Sequence, residues 1–185
     1  MSSFVRLRRE DTALLMIDMQ ERLLPAVADQ EEIMKNSHKL LSAAPVLQLP
    51  AMYTEQYPKG IGPTVKSLLD ILPEGTDRFE KTAFSCCDQP GFLEKLDAMG
   101  RPVTVLFGIE THICVLSTAM DLVRSGRRAV LAADAGGSRT ARNKELALNA
   151  MSSIGVSVLP TETIISQLLG ASGTAEFKAL LPLFK

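Results

Sequence analysis

Aromatic side chains make up only 5% of this 185-residue chain, which also has just two histidines, three cysteines and a formal net charge of −1. Without net positive charge there is no long-range attraction for a phosphate backbone, and with few aromatics there is little for unpaired bases to stack on, so nucleic acid is an unlikely partner. Cys86 and Cys87 are adjacent and Cys114 stands apart, a poor disulfide framework that fits a reducing, cytoplasmic setting. No second Cys or His pair gives the spacing of a metal site. No apolar run approaches the roughly 18 residues that span a bilayer. The longest, around residues 13–17 and 103–107, are strand-sized, so no membrane association is expected. Arg6, Arg8 and Arg9 are followed at once by Glu10 and Asp11, and no apolar segment with a small-residue cleavage site comes after them. This reads as no secretion signal, with mitochondrial association as the alternative.

What is present is ordinary globular material. A hydrophobic fraction of 46% and a charged fraction of 22% argue against disorder and fibrous classes. The length suits one domain, residues 1–185, able to bury roughly 70% of its unfolded surface. Its core is read at about 12–169 and its tail at 170–185.

Strand-like and helix-like patterns alternate throughout. Residues 14–17 form a continuous apolar run ending in Asp18, as a strand buried on both faces reads. A helix over 31–46 places Ile33, Met34, Ser37, Leu40, Leu41 and Ala44 on one stripe. An extended segment follows at 51–54, then a Gly- and Pro-rich loop at 57–63 and a short helix at 65–72. A segment ending in Lys81 leads to a helix over 91–99, and 103–107 is the clearest strand. The helix read at 111–124 turns Val115, Leu116, Ala119, Met120 and Val123 inward. A strand over 129–133 ends in Asp134, with Gly136 and Gly137 read as a turn into a helix at 141–153. A last strand at 156–159 precedes a helix at 161–169. This order predicts an α/β fold: a three-layer α/β/α arrangement around a mostly parallel, Rossmann-like six-stranded sheet.

Ligands in such folds bind beyond the carboxyl ends of the strands. That makes candidates of Asp18, the 53–56 segment, Lys81, the 108–114 segment and Asp134. Cys114 falls in the first turn of a predicted helix, where free N–H groups and the helix dipole favour a thiolate, so a depressed pKa is expected. Packing against the sheet is its other reading. Asp18 is either a helix cap or a general base. Lys81, taken singly, reads as a solvated surface lysine.

Taken together, Leu14-Leu15-Met16-Ile17-Asp18-Met19-Gln20, Lys81-Thr82-Ala83-Phe84 and Gly108-Ile109-Glu110-Thr111-His112-Ile113-Cys114-Val115 resemble, in order and spacing, the three signature regions of the isochorismatase-like cysteine hydrolases. The resemblance implies a catalytic triad of Asp18, Lys81 and Cys114. It also implies a cis peptide between Ile109 and Glu110, and an oxyanion hole from the N–H groups of Glu110 and Cys114. The implied chemistry is acyl transfer to Cys114 through a thioester, on a small amide or related C–N substrate. Gln20, Tyr53, Glu55, Phe84 and His112 are candidate pocket residues.

Nicotinamidase-like relatives carry a zinc site of one Asp and two His after the second strand. Here that stretch reads Tyr53-Thr54-Glu55-Gln56-Tyr57-Pro58-Lys59-Gly60, with no His, so no metal and no cofactor is expected. The isochorismate-cleaving enzyme lacks the nucleophilic Cys, so Cys114 argues for hydrolysis instead. The Thr-Glu-Gln-Tyr-Pro-Lys-Gly loop is most similar to the eukaryotic isochorismatase-domain subgroup.

His38 reads as solvated, Cys86 and Cys87 as packing or pocket wall, and Asp134 as a turn or cap. The apolar tail residues Phe177, Leu180, Leu181, Leu183 and Phe184 fold back on the domain or dock on a partner subunit, and a homo-oligomer, dimer or tetramer, is expected. A metal-independent cysteine hydrolase is the leading reading. A catalytically silent oligomeric scaffold of the same fold is the first alternative, and a nuclease or RNA-binding protein the second.

Overall fold

The structure, a computed structural model, describes residues 6–184. The apolar run at 14–17 lies in strand β1 (Thr12–Ile17), buried along its whole length. Fully burying a side chain such as Leu or Ile is worth about 1.5–3 kcal/mol, so this strand anchors the centre of the sheet. The other strands are β2 (Ala51–Gln56), β3 (Asp77–Lys81), β4 (Val103–Ile109), β5 (Arg128–Gly137) and β6 (Ser157–Leu159). Their order is β3-β2-β1-β4-β5-β6, with every neighbouring pair parallel. The chain winds one way from β1 to β3 and the other way from β4 to β6. The crevice of such a sheet therefore opens between the carboxyl ends of β1 and β4.

Helices α1 (Gln30–Leu47), α2 (Pro58–Ile61), α3 (Lys66–Leu69), α4 (Phe92–Ala98), α5 (Leu116–Arg124), α6 (Ala141–Ser153), α7 (Thr161–Leu169) and α8 (Ala175–Leu180) complete the fold. Alternation along the strands divides the core in two. Leu14, Met16, Val105, Phe107 and Tyr53 pack with α1 and α7 on one face, while Leu15, Ile17, Met52, Leu106 and Leu131 pack with α4, α5 and α6 on the other. The apolar tail folds back on the first of these faces, with Leu180 buried and Phe177, Leu183 and Phe184 partly buried against it. Among the described residues no helix is long and apolar enough to cross a membrane.

The structure departs from the sequence reading at several points. The 57–63 loop contains the helical turn α2, opened by Pro58, whose missing N–H costs nothing at a helix start. Gly136 and Gly137 are not a turn but the end of β5, paired with Gly108 and Ile109. A Cβ on Gly137 would lie 2.2 Å from Cδ1 of Ile33 on α1 and 2.6 Å from Cγ1 of Val27, so those side chains would have to shift to admit it. Asp134 is a cap, but of α7 rather than of its own turn: its Oδ1 accepts from the Thr161 N–H at 2.8 Å and the Thr161 hydroxyl at 2.7 Å. Met120 faces out rather than in, 49% exposed, because α5 buries Thr118, Ala119 and Leu122. The helix read at 111–124 begins as a π-helical turn, Thr111–Val115, before α5 proper.

Candidate active site

β1 ends where Asp18 enters the left-handed region, at φ 51°. This conformation is uncommon for a residue with a side chain, though Asp tolerates it better than most. It turns the carboxylate out of the strand run, fully buried. Oδ1 accepts from the Thr54 hydroxyl at 2.7 Å, and Oδ2 lies 2.7 Å from the Lys81 Nζ. Lys81 closes β3 and reaches past β2 to make that contact. Both side chains of the pair have no solvent exposure, so the reading of Lys81 as a solvated lysine does not hold. A buried charge persists only when paired and hydrogen-bonded. Nζ is also 2.6 Å from Gln56 Oε1, and 3.3 and 3.4 Å from the carbonyls of Ala83 and Phe84. Burial pulls the Lys81 ammonium down, but Asp18 above all holds its pKa above the ordinary value.

The close approach of β4 to β1 depends on Gly108. It pairs with Ile17 and has a φ of +117°, and a Cβ there would lie 2.1 Å from the Ile17 carbonyl oxygen. Just beyond it the Ile109–Glu110 peptide bond is cis. In the π turn that follows, the Glu110 carbonyl accepts from both Ile113 N–H and Val115 N–H, at 3.0 and 3.3 Å. π turns of this kind recur at functional sites. Thr111 pins the turn to β5 by donating to the Gly137 carbonyl at 3.1 Å.

Cys114 sits inside this turn, 6% exposed and within the same apolar cluster as Ile17 and Cys86. Burial first, then the Asp18 carboxylate, push its thiol up to about 12, against the pull of Lys81. This corrects the expected depression. The helix-dipole argument concerns an exposed first turn, and here desolvation and a neighbouring anion outweigh it. The resting sulfur is a neutral thiol that has the Asp18 carboxylate as a neighbour. Cys86, fully buried, is likewise pushed up to about 12 by burial, and its N–H donates to the Thr118 hydroxyl at 2.9 Å. Thr118 lies one helical turn beyond Cys114, which sets Cys86 against the wall of the site.

Four of the five residues read as pocket lining, all but Phe84, are buried or partly buried within the fold. The Gln20 side chain is buried, donating to the carbonyls of Gln56 and Gly62 and accepting from the Gln56 N–H. Tyr53 and Glu55 point to the opposite face of β2 from Thr54, and the Glu55 carboxylate pairs with Arg78 at 3.0 Å and accepts from the Thr64 N–H. His112 lies between Ser138 and Asn143, its Nδ1 2.9 Å from the Ser138 hydroxyl and its Nε2 3.3 Å from the Asn143 amide nitrogen. The Glu110 carboxylate accepts from the Arg139 N–H and Nε. Phe84 is 63% exposed beside the site. A cleft of about 250 Å³ passes the end of β3, lined by Tyr57, Pro58, Lys59, Glu80, Lys81, Thr82 and Gln89, with neither Asp18 nor Cys114 on its wall and the Lys81 side chain unexposed. Thr54 and Gln56, which hold the two ends of the ion pair, fell within the 53–56 candidate segment but were given no role of their own from sequence. Their signal was their place at the carboxyl end of β2, beside the strand that delivers Asp18. Among the described residues no group of three or more His, Cys, Asp or Glu is arranged to hold a metal ion.

Comparison with known proteins places this geometry in context. The family model described as Isochorismatase domain matches residues 12–163. Isochorismatase domain-containing protein 2 of Danio rerio is 35% identical, over 97% of this chain and 90% of its own. The solved structure of the MAR1 ribonuclease from Caenorhabditis elegans is 35% identical with a TM-score of 0.91, covering 97% of this chain and 92% of that one. The YcaC gene product of Escherichia coli, described as an octameric hydrolase of unknown specificity, shares the fold with a TM-score of 0.90 at 24% identity, over 97% and 91% of the two chains. A family match that takes in all six strands, with relatives this similar over most of their length, means that the chain belongs to the isochorismatase-domain family.

Proposed function

We propose that this chain is a cysteine hydrolase acting on small amides or related C–N substrates, with Cys114 as nucleophile, Asp18 as general base and Lys81 as electrostatic partner to both. The observation that carries the reading is the fully buried Asp18–Lys81 pair at 2.7 Å, acting on a Cys114 thiol that burial and Asp18 keep protonated. A buried ion pair is poor as a stabilising device, because desolvation offsets much of the attraction. Beside a nucleophile it has a use.

In this reading the Cys114 sulfur attacks the substrate carbonyl carbon while its proton passes to Asp18. The C=O π electrons move to oxygen, where the N–H groups of Glu110 and Cys114 stabilise the charge. Collapse breaks the C–N bond, and the proton on Asp18 leaves with the amine. Asp18 then takes a proton from water, which attacks the thioester; the second collapse releases a carboxylic acid and restores the thiol. Lys81 holds the Asp18 carboxylate in place and offsets charge developing on sulfur. Amine release from a panel of small amides tests this. Wild type is expected to turn over at least one of them and Cys114→Ala none, a loss of at least about a thousandfold. Equal rates in both would remove Cys114 from the chemistry, and no turnover by either across the panel would favour a silent scaffold.

A second reading, ribonuclease, is favoured by the description of the C. elegans relative. The same pair of proteins offered RNA decides it: RNA cleavage by pure wild type, with no amide turned over, would replace the amidohydrolase reading.

A further inference from the structure

The Lys81 ammonium has three N–H donors and meets two acceptors at short range, Asp18 Oδ2 and Gln56 Oε1. The second of these cannot turn away. Gln56 Nε2 donates to the Thr82 carbonyl at 2.7 Å. Lysine offers only donors and a carbonyl only an acceptor, so just one orientation of the amide satisfies both. The backbone of Gln56 is held as well, its N–H donating to Gln20 Oε1 at 2.8 Å and its carbonyl accepting from Gln20 Nε2 at 3.0 Å. Gln20 in turn donates to the Gly62 carbonyl at 2.6 Å. A rigid chain of amides thus runs from the loop after β1, through the end of β2, to the ammonium.

Chemistry explains why the second partner is an amide. An apolar side chain at 56 would remove the short neutral acceptor and leave the ammonium, apart from Asp18, only the longer contacts to the carbonyls of Ala83 and Phe84 at 3.3 and 3.4 Å. A carboxylate would pair with it fully and put a second negative charge near the sulfur. A neutral acceptor orients the ammonium and leaves its charge uncancelled. We propose that Gln56 is a positioning residue: its amide oxygen aims the Lys81 ammonium between Asp18 and Cys114 without neutralising it. This rests on the triad reading above and deepens it. Gln20 holds Gln56 in register and acts one step further out. The titratable groups that bear on the Cys114 sulfur are Asp18, Lys81 and Cys86.

The test needs no substrate. Iodoacetamide alkylation of Cys114, followed by peptide mass spectrometry between about pH 7 and pH 10, is compared in wild type, Lys81→Met, Gln56→Leu, Gln56→Glu and the double variant Gln56→Leu/Lys81→Met. Lys81→Met is expected to slow the reaction at least tenfold, and Gln56→Leu about three- to tenfold, while in the Lys81→Met background Gln56→Leu adds less than about twofold, as residues acting through one another require. Gln56→Glu keeps the shape of the side chain and is expected to move the whole rate profile to higher pH, which a packing role would not do. If Lys81→Met alkylates like wild type, the triad reading fails. If Lys81→Met is slowed but both Gln56 variants follow the wild-type profile, only the role of Gln56 fails. Should Gln56→Leu not fold, the Gln56→Glu profile decides alone.

Discussion

Replacing Asp18 by Asn is expected to stop turnover and to lower stability by about 3–5 kcal/mol, the usual consequence of removing one partner from a buried ion pair. The shape of the side chain is kept, so the loss is electrostatic. Lys81 would be left as a charge with no solvent exposure and only neutral acceptors. The pH dependence gives the sign. In the wild type the Lys81 pKa is raised above its ordinary 10.5, so its stabilising contribution is present below that value and is lost as pH rises through the folded one. Without Asp18 the buried amine prefers to be neutral, its folded pKa falls below the unfolded one, and stability should increase as pH rises toward the unfolded value. Urea denaturation of the variant at two or three pH values measures this. Adding Lys81→Met should restore part of the stability, since it removes the unpaired buried charge, while activity stays absent. An Asp18→Asn protein as stable as wild type at neutral pH would mean that the pair is not buried and charged as described.

Gly108→Ala should cost more than any ordinary surface change, at least about 3 kcal/mol, and is expected to prevent accumulation of folded protein. The new methyl group would sit 2.1 Å from the Ile17 carbonyl oxygen, 2.8 Å from its nitrogen and 2.9 Å from its carbonyl carbon. These are backbone atoms of the central strand and cannot swing aside as a flexible side chain does. The φ of +117° adds strain that no relaxation of neighbours removes. Because Ile17 precedes Asp18 and Gly108 leads into the Cys114 turn, any separation of β1 from β4 also opens the site. Thermal unfolding within a few degrees of wild type would contradict this account of the strand contact.

Much of the frame was legible in the amino-acid order. A strand buried on both faces must be apolar throughout, so the run at 14–17 and the one at 103–107 could be read directly, and strand–helix alternation then implied a parallel sheet. The helix pattern was less secure. Thr118 had no place in the stripe read for 111–124, yet it is buried, its hydroxyl accepting from the Cys86 N–H, and Met120 is turned out. The electrostatics of Cys114 lay beyond reach for a different reason. Position at a helix start is a local property, whereas desolvation and the approach of Asp18, remote in the chain, are not. The faces of β2 were hidden in the same way: period-two alternation says that Tyr53 and Glu55 share a face, but not that Thr54, on the other, is the one that meets Asp18. Gln56 fell in a candidate segment, but its role is invisible to local reading, since it exists only through Lys81, which arrives on another strand.

Acid quenching of the reaction with a turned-over amide, followed by peptide mass spectrometry, asks most directly whether the three remote side chains act as one centre. The account predicts an acyl group on the Cys114 peptide, labile to hydroxylamine as a thioester is, and none at Cys86 or Cys87. An acyl group on another residue, or steady turnover with no covalent species even in single-turnover sampling and with Cys114 replaced, would contradict it.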